Sequence, residues 1–374
     1  MPHPSQDHLD QTPASTTPAS TTTDHRAVLG SLGYDAGPWP ALLDDIDPDA
    51  THGRVVRADR GAATVATADG PRRVTWTPTQ APPVTGDWVA IDADDHLLGI
   101  APRRAAISRP AHHRGFRTDD EGDQVLAANA DLVGIVVPID SDVRVRRLER
   151  GLVLAYESGA VPVVILTKAD LVDDHTIALH EVDRAAVGVD VIVASTETGQ
   201  GVEQLRALLA PDRTMALLGA SGAGKSTLTN AVVGHHVLAT GAVRSVDGKG
   251  RHTTTHRELV AVPSGGAILD TPGLRTLSVG QVGEGLELTF PEVEELTAGC
   301  RFRDCRHDGE PGCAVLAAIE DGTLAHDRFE GWTRIRAESE NAALRADKAR
   351  YRQAARRSGV VAREANRIRG GGPR

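Results

Sequence analysis

The sequence predicts three folded units in series: a small antiparallel β-barrel, a central parallel α/β sheet wrapped by helices, and a mostly α-helical C-terminal unit held by a metal. Three observations predict it. Short β-type runs ended by Gly, Pro or Asp turns occupy residues 53–107. Longer apolar runs alternating with helical stretches begin at Asp131. After Pro291 strand patterns stop, and a Cys/His cluster leads into Arg-rich helical sequence. A chain of 374 residues is long enough for two or three units, each burying its own core.

Residues 1–24 are a low-complexity mixture of Ser, Thr, Pro and Ala that cannot bury enough apolar surface to order, so disorder is expected there. No apolar run reaches the ~18 residues needed to cross a bilayer. The chain opens without the charged and then apolar pattern of a secretion signal, so the expected location is cytoplasmic, with no membrane partner. Net charge is -10, which alone would disfavour nucleic acid, but residues 333–374 carry twelve Lys or Arg against four acids. An acidic body with a basic tail follows.

The first unit, residues 50–110, reads as the runs GRVVRA, AATVATA, RRVTWT, GDWVAID and LLGIAP, spaced as in a small closed barrel. The segment RPAHHRGFRTDDEGDQ then reads as a linker. In the second unit, residues 125–290, the runs DLVGIVVPID, VPVVILTKAD, VDVIVAS, TMALLGA and GAILDTPG read as strands buried on both faces, with VRRLERGLVLAYES and VEQLRALLA as helices between them. The third unit covers residues 291–374 and includes the basic tail.

GASGAGKST, comprising Gly219, Ala220, Ser221, Gly222, Ala223, Gly224, Lys225, Ser226 and Thr227, matches G-x-x-x-x-G-K-[ST] between a strand-like run and a helix-like run. Glycines let successive N–H groups point inward, and the following helix adds its positive end, forming a nest for phosphates. Lys225 is placed to reach the β- and γ-phosphates and the Ser226 hydroxyl to ligate Mg²⁺. Thr167, Lys168, Ala169 and Asp170 spell TKAD at the end of a strand. A carboxylate at Asp170 accepts from guanine N1–H and the 2-amino group, donors that adenine lacks there. Lys168 packs its stem along the base, and Ala194 and Ser195, in VASTETGQG, offer backbone or hydroxyl contacts to the guanine O6.

In DTPG, Asp270 holds Mg²⁺ through water and Gly273 presents its N–H to the γ-phosphate. GKGRHTTTHREL, residues 248–259, supplies Thr253 or Thr254 to close on Mg²⁺ while the γ-phosphate is present. Leu274 stands where many GTPases carry a water-orienting Gln, so slow intrinsic turnover is expected, with His252 or a partner supplying the missing group. The order is inverted relative to Ras-like GTPases: base-readers precede the cradle, which implies a circularly permuted domain whose old termini are joined. A non-hydrolytic RNA-binding module is a second rival reading, and an ATP-driven transporter motor is the main one. The motor would carry an LSGGQ element, which is absent, and would leave TKAD without a purpose.

Cys300, Cys305, His307 and Cys313 offer three thiolates and an imidazole, the closed tetrahedral shell of structural zinc. All three cysteines lie within this stretch, which argues against a disulfide framework.

With VTGDWV, TKADL, GASGAGKSTL, GKGRHTTTHREL, DTPGLR and the Cys300–Cys313 cluster in this order, the chain resembles the small ribosomal subunit-dependent GTPase A family over roughly residues 53–351. The resemblance implies an OB-fold N-terminal domain, a permuted GTPase domain and a zinc-binding C-terminal domain. It also implies a monomeric GTP hydrolase acting in late maturation of the 30S subunit, binding GTP/GDP, Mg²⁺, zinc and rRNA, and stimulated by that subunit. Thr167 departs from the family's usual Asn and is expected to weaken guanine affinity without changing base choice. Residues 1–50 and the tail after Tyr351 lie outside the resemblance.

Overall fold

The computed structural model describes residues 24–110, 123–140, 142–210, 212–238, 257–270, 280, 282–344 and 347. Two short helices come first, α1 (His25–Ser31) and α2 (Trp39–Asp44), in a stretch to which sequence patterns assign no unit. Asp24 caps α1 by accepting the Ala27 N–H at 3.1 Å. Leu29, Leu32, Trp39 and Leu43 are buried, and Trp39 stacks on Trp88 with ring centroids 5.6 Å apart. The pair is part of the core.

Five strands follow: β1 (Thr51–Asp59), β2 (Ala62–Thr67), β3 (Gly70–Val74), β4 (Trp88–Ile91) and β5 (Leu97–Ile100). Hydrogen bonding runs β3-β2-β1-β4-β5, all antiparallel. Just past β3, the Thr75 N–H donates to the Asp95 carbonyl at 3.0 Å and Thr75 accepts from the Leu97 N–H at 2.8 Å, bringing the two ends of the series together. Side chains alternate across a pleated strand, so Val55, Val65, Val74, Val89, Ile91 and Leu97 meet in one small core.

The stretch expected to be a linker begins and ends in strand instead. β6 (Ala106–Pro110) pairs with β7 (Asp123–Ala128), because Ile107, Leu126 and Ala127 bury on the main core. From here the chain alternates strand and helix: β8 (Leu132–Pro138), α3 (Val145–Glu157), β9 (Val161–Thr167), α4 (Thr176–Ala185), β10 (Asp190–Val193), α5 (Val202–Leu209), β11 (Thr214–Gly219), α6 (Lys225–Val233), then β12 (Glu258–Ala261) and β13 (Ala267–Asp270). The strand order is β10-β9-β8-β11-β13-β12, parallel except for β12.

The two sheets are not separate. β12 also pairs with β1, through Arg57 opposite Glu258, so the N-terminal strands continue the hydrogen bonding of the parallel sheet. Arg54 secures the junction from inside. It is only 2% exposed and donates to the carbonyls of Leu32, Gly86 (3.3 Å) and Asn129 (2.9 Å) and to the Thr214 hydroxyl (2.8 Å). Burial lowers its pKa to about 10, against the pull of Asp131 and Asp87. Arg54→Met keeps most of the volume but orphans the carbonyls that meet there, each about 1–3 kcal/mol when desolvated. A loss of roughly 3–5 kcal/mol in urea unfolding is therefore expected; a change below about 1 kcal/mol would show that water replaces the guanidinium without penalty.

Among the described residues after 282 there are helices and no strand: α7 (Glu284–Thr289), α8 (Pro291–Ala298), α9 (Ala314–Glu320) and a final helix over residues 326–344. Phe290, Val293, Val315, Trp332 and Ile335 form their core together with Val153 from α3. Arg328, 6% exposed, ties this unit to α3 by donating to Glu292 at 2.7 Å, to the Thr289 carbonyl at 2.7 Å and to Glu149 at 3.4 Å.

Candidate nucleotide site and metal centre

In a parallel sheet the loops after the strands emerge at one carboxyl edge. Register puts Gly219 beside Val136, Pro138 beside Thr167, Leu166 beside Val193 and Leu217 beside Asp270, so four of the sequence-predicted segments converge on that edge. The turn after β11 depends on its glycines. A Cβ on Gly219 would lie 2.6 Å from the Val136 carbonyl oxygen, and Gly222 and Gly224 take φ of +78° and +92°. Ala223 is buried beneath the loop, while Ser221, Gly222 and Thr227 face outward. Lys225 starts α6 and folds back, its ammonium donating to the carbonyls of Gly219 and Ala220, both at 3.0 Å. Burial pushes its pKa down, Asp270 pulls it up, and Arg147 pushes it further down.

The Ser226 hydroxyl donates to Asp270 Oδ2 at 2.9 Å, while the buried Oδ1 has no hydrogen-bond partner among the described residues. Two hard oxygen donors at the end of a phosphate nest, one with an unsatisfied lone pair, suit Mg²⁺ or its bound water. Burial pushes the Asp270 carboxyl above its ordinary value of 3.8, against the Ser226 hydrogen bond and Lys225. A raised carboxyl means that the folded state holds the proton more tightly than the unfolded chain. Its contribution to the stability of the metal-free, nucleotide-free protein is thus fully present below the ordinary value and is lost as pH rises through the raised one. Asp270→Asn is expected to flatten that decline in denaturant titrations carried upward from the ordinary carboxyl value; an unchanged slope would refute it.

TKAD folds onto the same loop. The Thr167 hydroxyl, on a residue only 4% exposed, donates to the Ala223 carbonyl at 2.7 Å, a direct bond between the expected base-reader and the expected cradle. Lys168 is left-handed at φ +63° and pairs with Asp140 at 2.6 Å. Ala169 opens a short 3₁₀ turn, its N–H donating to the Ala194 carbonyl at 3.2 Å. Asp170 is exposed and accepts the Ser195 hydroxyl at 2.5 Å, which aims its carboxylate.

Ala194 and Ser195 lie at the expected strand end, with their polar groups already engaged. Both are in place, but their N–H groups already donate, to Leu166 at 2.7 Å and Gln200 at 3.0 Å, and the Ser195 hydroxyl serves Asp170. Among the described residues, the N–H of Thr196, one residue further along, has no hydrogen-bond partner, whereas those of Glu197 and Thr198 donate to the Ser195 hydroxyl at 3.2 Å. The segment was legible in sequence, but which of its amides the strand and turn would consume was not. A cavity of about 590 Å³ opens beside the loop, lined by Pro138, Asp140, Arg144, Arg147, Lys168 and Gly219 to Gly222 among others. His252, Thr253, Thr254 and Gly273 lie outside the described residues.

The ligand atoms of Cys300, Cys305, His307 and Cys313 all lie within 4.8 Å of one another. His307 Nδ1 is 3.6 Å from Cys300 Sγ and 3.4 Å from Cys313 Sγ, and the latter two sulfurs are 3.9 Å apart. A tetrahedron with bonds of ~2.3 Å to sulfur and ~2.0 Å to nitrogen has edges of about 3.5–3.8 Å, so the set fits a zinc-sized ion. Local folding explains the convergence. Cys313 is the N-cap of α9 and accepts the Leu316 N–H at 3.5 Å, and His307 takes φ +60° with its ring edge-on to Phe329 and Trp332. Glu310 accepts the N–H groups of Arg306 at 2.9 Å and Asp308 at 2.8 Å on either side of His307, and these bonds hold its carboxyl at about 2.

Comparison with known proteins bears on this geometry. Residues 100–280 match the family model described as RsgA GTPase. The chain is 42% identical over 372 residues to the "Small ribosomal subunit biogenesis GTPase RsgA" of Streptomyces coelicolor, covering 96% of this chain and 100% of that protein. "Small ribosomal subunit biogenesis GTPase RsgA 2" of Listeria monocytogenes is 43% identical over 256 residues, 68% of this chain and 72% of the relative. Among solved structures, YjeQ from Thermotoga maritima superimposes with a TM-score of 0.55 at 25% identity, covering 77% of this chain and 98% of that one. YloQ, titled a circularly permuted GTPase, gives the same score and identity over 78% and 96%. Motif order, sheet topology and these likenesses agree: the chain belongs to the RsgA GTPase family, with its GTPase motifs circularly permuted.

Proposed function

We propose that this protein binds GTP at the carboxyl edge of the parallel sheet and hydrolyses it slowly, in late maturation of the 30S ribosomal subunit, whose presence stimulates the reaction. The observation that carries the reading is the Thr167 to Ala223 hydrogen bond of 2.7 Å, because it supports a single site shared by base-reader and phosphate cradle despite their inverted order. In this reading Gly219 to Thr227 wrap the phosphates, Lys225 bridges β and γ, and Ser226, Asp270 and Thr253 or Thr254 serve Mg²⁺. Asp170 reads guanine N1–H and the 2-amino group, Lys168 covers the base, and the Thr196 N–H meets O6. Gly273 contacts the γ-phosphate. His252 orients the attacking water in place of the Gln that Leu274 displaces. Thr167 spends its hydroxyl on the cradle, which supports undiminished base choice with weaker hold on the nucleotide.

Around this centre we assign residues 50–110 to an OB-type barrel, 125–290 to the GTPase domain and 291–374 to a zinc-bound helical domain. The return of β5 to β3 supports the first, and the four-ligand geometry supports the last. Barrel and basic tail suit rRNA phosphates, and the protein acts as a monomer. The names of the Streptomyces and Listeria relatives support the small subunit as the target. GTP turnover titrated with purified 30S, 50S and 70S particles tests the proposal. At least tenfold stimulation by 30S alone is expected, and His252→Ala should lose most of it while keeping GTP affinity. Equal rates with all three particles would overturn the assignment to the small subunit.

A further inference from the structure

Arg144 and Arg147 belong to no motif, yet both line the cavity beside the phosphate loop. Arg147 sits on the first turn of α3, half-buried, with Arg144 at the helix N-cap. Among the described residues neither guanidinium has an ion-pair or hydrogen-bond partner, whereas Arg150, further along the same helix, is paired with Glu338. Of the two carboxylates lining the cavity, Asp140 is already held by Lys168 at 2.6 Å, which leaves only Asp142 against two arginines. An uncompensated guanidinium pair on the wall that Gly219 to Gly222 also line is arranged to receive negative charge.

We infer that Arg147 is a phosphate-facing residue of the GTP site, supplying in cis the positive charge that stabilises γ-phosphoryl transfer, with Arg144 steering the nucleotide's phosphates in. This rests on the GTPase reading above. In the reaction a water oxygen bonds to the γ-phosphorus as the bond from that phosphorus to the β–γ bridging oxygen breaks. The electron pair stays on the β-phosphate, and the water's protons pass to inorganic phosphate and solvent. Charge grows on the bridging and β-phosphate oxygens during this step, and a guanidinium fork reaching over the loop neutralises it. Arg147 is close enough for its charge to depress the Lys225 ammonium, which grips the same loop.

The test is single-turnover GTP hydrolysis, together with binding of GDP alone and of GDP with aluminium fluoride, a mimic of the transferring phosphoryl group. Arg147→Ala should slow hydrolysis about 100-fold and abolish aluminium fluoride capture, with GDP affinity within threefold of the parent. Arg147→Lys should recover part of the rate, because charge returns without the fork. Arg146→Ala, exposed and away from the cavity lining, is the matched control and should behave as the parent. Full hydrolysis and full aluminium fluoride capture in Arg147→Ala would overturn the inference while leaving the GTPase reading intact. So would a parallel loss of GDP binding, which would make the residue structural, or a defect seen only in 30S binding, which would make it an RNA contact. A parent protein that hydrolyses no GTP, with or without 30S, would instead sink the underlying reading.

Discussion

Asp170→Asn is expected to transfer the nucleotide preference from GTP to XTP. The Ser195 hydroxyl donates to Asp170 Oδ1 at 2.5 Å and orients the carboxylate; in the proposed reading its remaining acceptors meet guanine N1–H and the 2-amino group. Each hydrogen bond to a charged acceptor contributes about 1.5–3 kcal/mol. In the Asp170→Asn variant the amide oxygen stays on the Ser195 side and can still accept N1–H. The amide nitrogen then confronts the 2-amino group, donor against donor, so one bond is lost and a repulsion is added. GTP affinity should fall about 10³-fold, in keeping with sites that reject a ligand whose polar edge does not match. Xanthine carries a carbonyl at the 2-position and restores the pair, so XTP should bind the variant more tightly than GTP. Competition titrations with GTP, XTP and ATP check this. A variant that keeps its preference for GTP would show that Asp170 does not read the base.

Cys313→Ser is expected to release the metal and unfold the C-terminal unit as a block. Cys313 is buried and contributes three things at once: a ligand sulfur 3.4 Å from His307 Nδ1, the N-cap of α9, and packing in the core with Phe290 and Trp332. A serine hydroxyl retains the cap but is a far weaker zinc ligand than a thiolate, so the substitution isolates the metal. The core here is small, and the loop carrying Cys300, Cys305 and His307 has little apolar surface of its own. Apparent zinc binding of ~10–16 kcal/mol in small domains exceeds what such a core supplies, and folding there is coupled to the metal. Native mass spectrometry should show one zinc per parent chain and none in the variant. Trp332, whose indole N–H donates to Glu294 at 2.7 Å, should report the unfolding by a red-shifted fluorescence spectrum. A variant that lacks zinc yet keeps the parent's fluorescence and cooperativity would mean that the metal adds nothing to this fold.

The candidate site was largely legible because its chemistry lives in short contiguous segments. Phosphate binding needs glycines at fixed offsets before a helix, and Gly219, Gly222 and Gly224 occur at those offsets with the close approach and positive φ that require them. The metal ligands fall within fourteen residues for a similar reason: one turn and one helix start suffice to gather them. Elements whose partners are distant in sequence were not legible. Residues 25–44 look unremarkable until Trp39 meets Trp88 and Leu32 meets Arg54. The facing ends of β6 and β7 read as linker in the sequence because their pairing joins segments separated by a polar stretch. That the Thr196 N–H is left unengaged emerges only once Leu166 and Gln200 have claimed the neighbouring amides.

Local pattern alone determined the GTPase class, the permuted motif order, the candidate metal-ligand set and the succession of β, α/β and α segments, because each depends on residue types at short, fixed spacing. Tertiary structure decided the joining of β1 to β12, the burial of Arg54 at the junction, the Thr167 clasp on the phosphate loop and the placement of Arg147 beside it. Those contacts join residues tens to hundreds of positions apart, and no local period encodes them. They exist because buried donors and acceptors must find partners wherever packing leaves them.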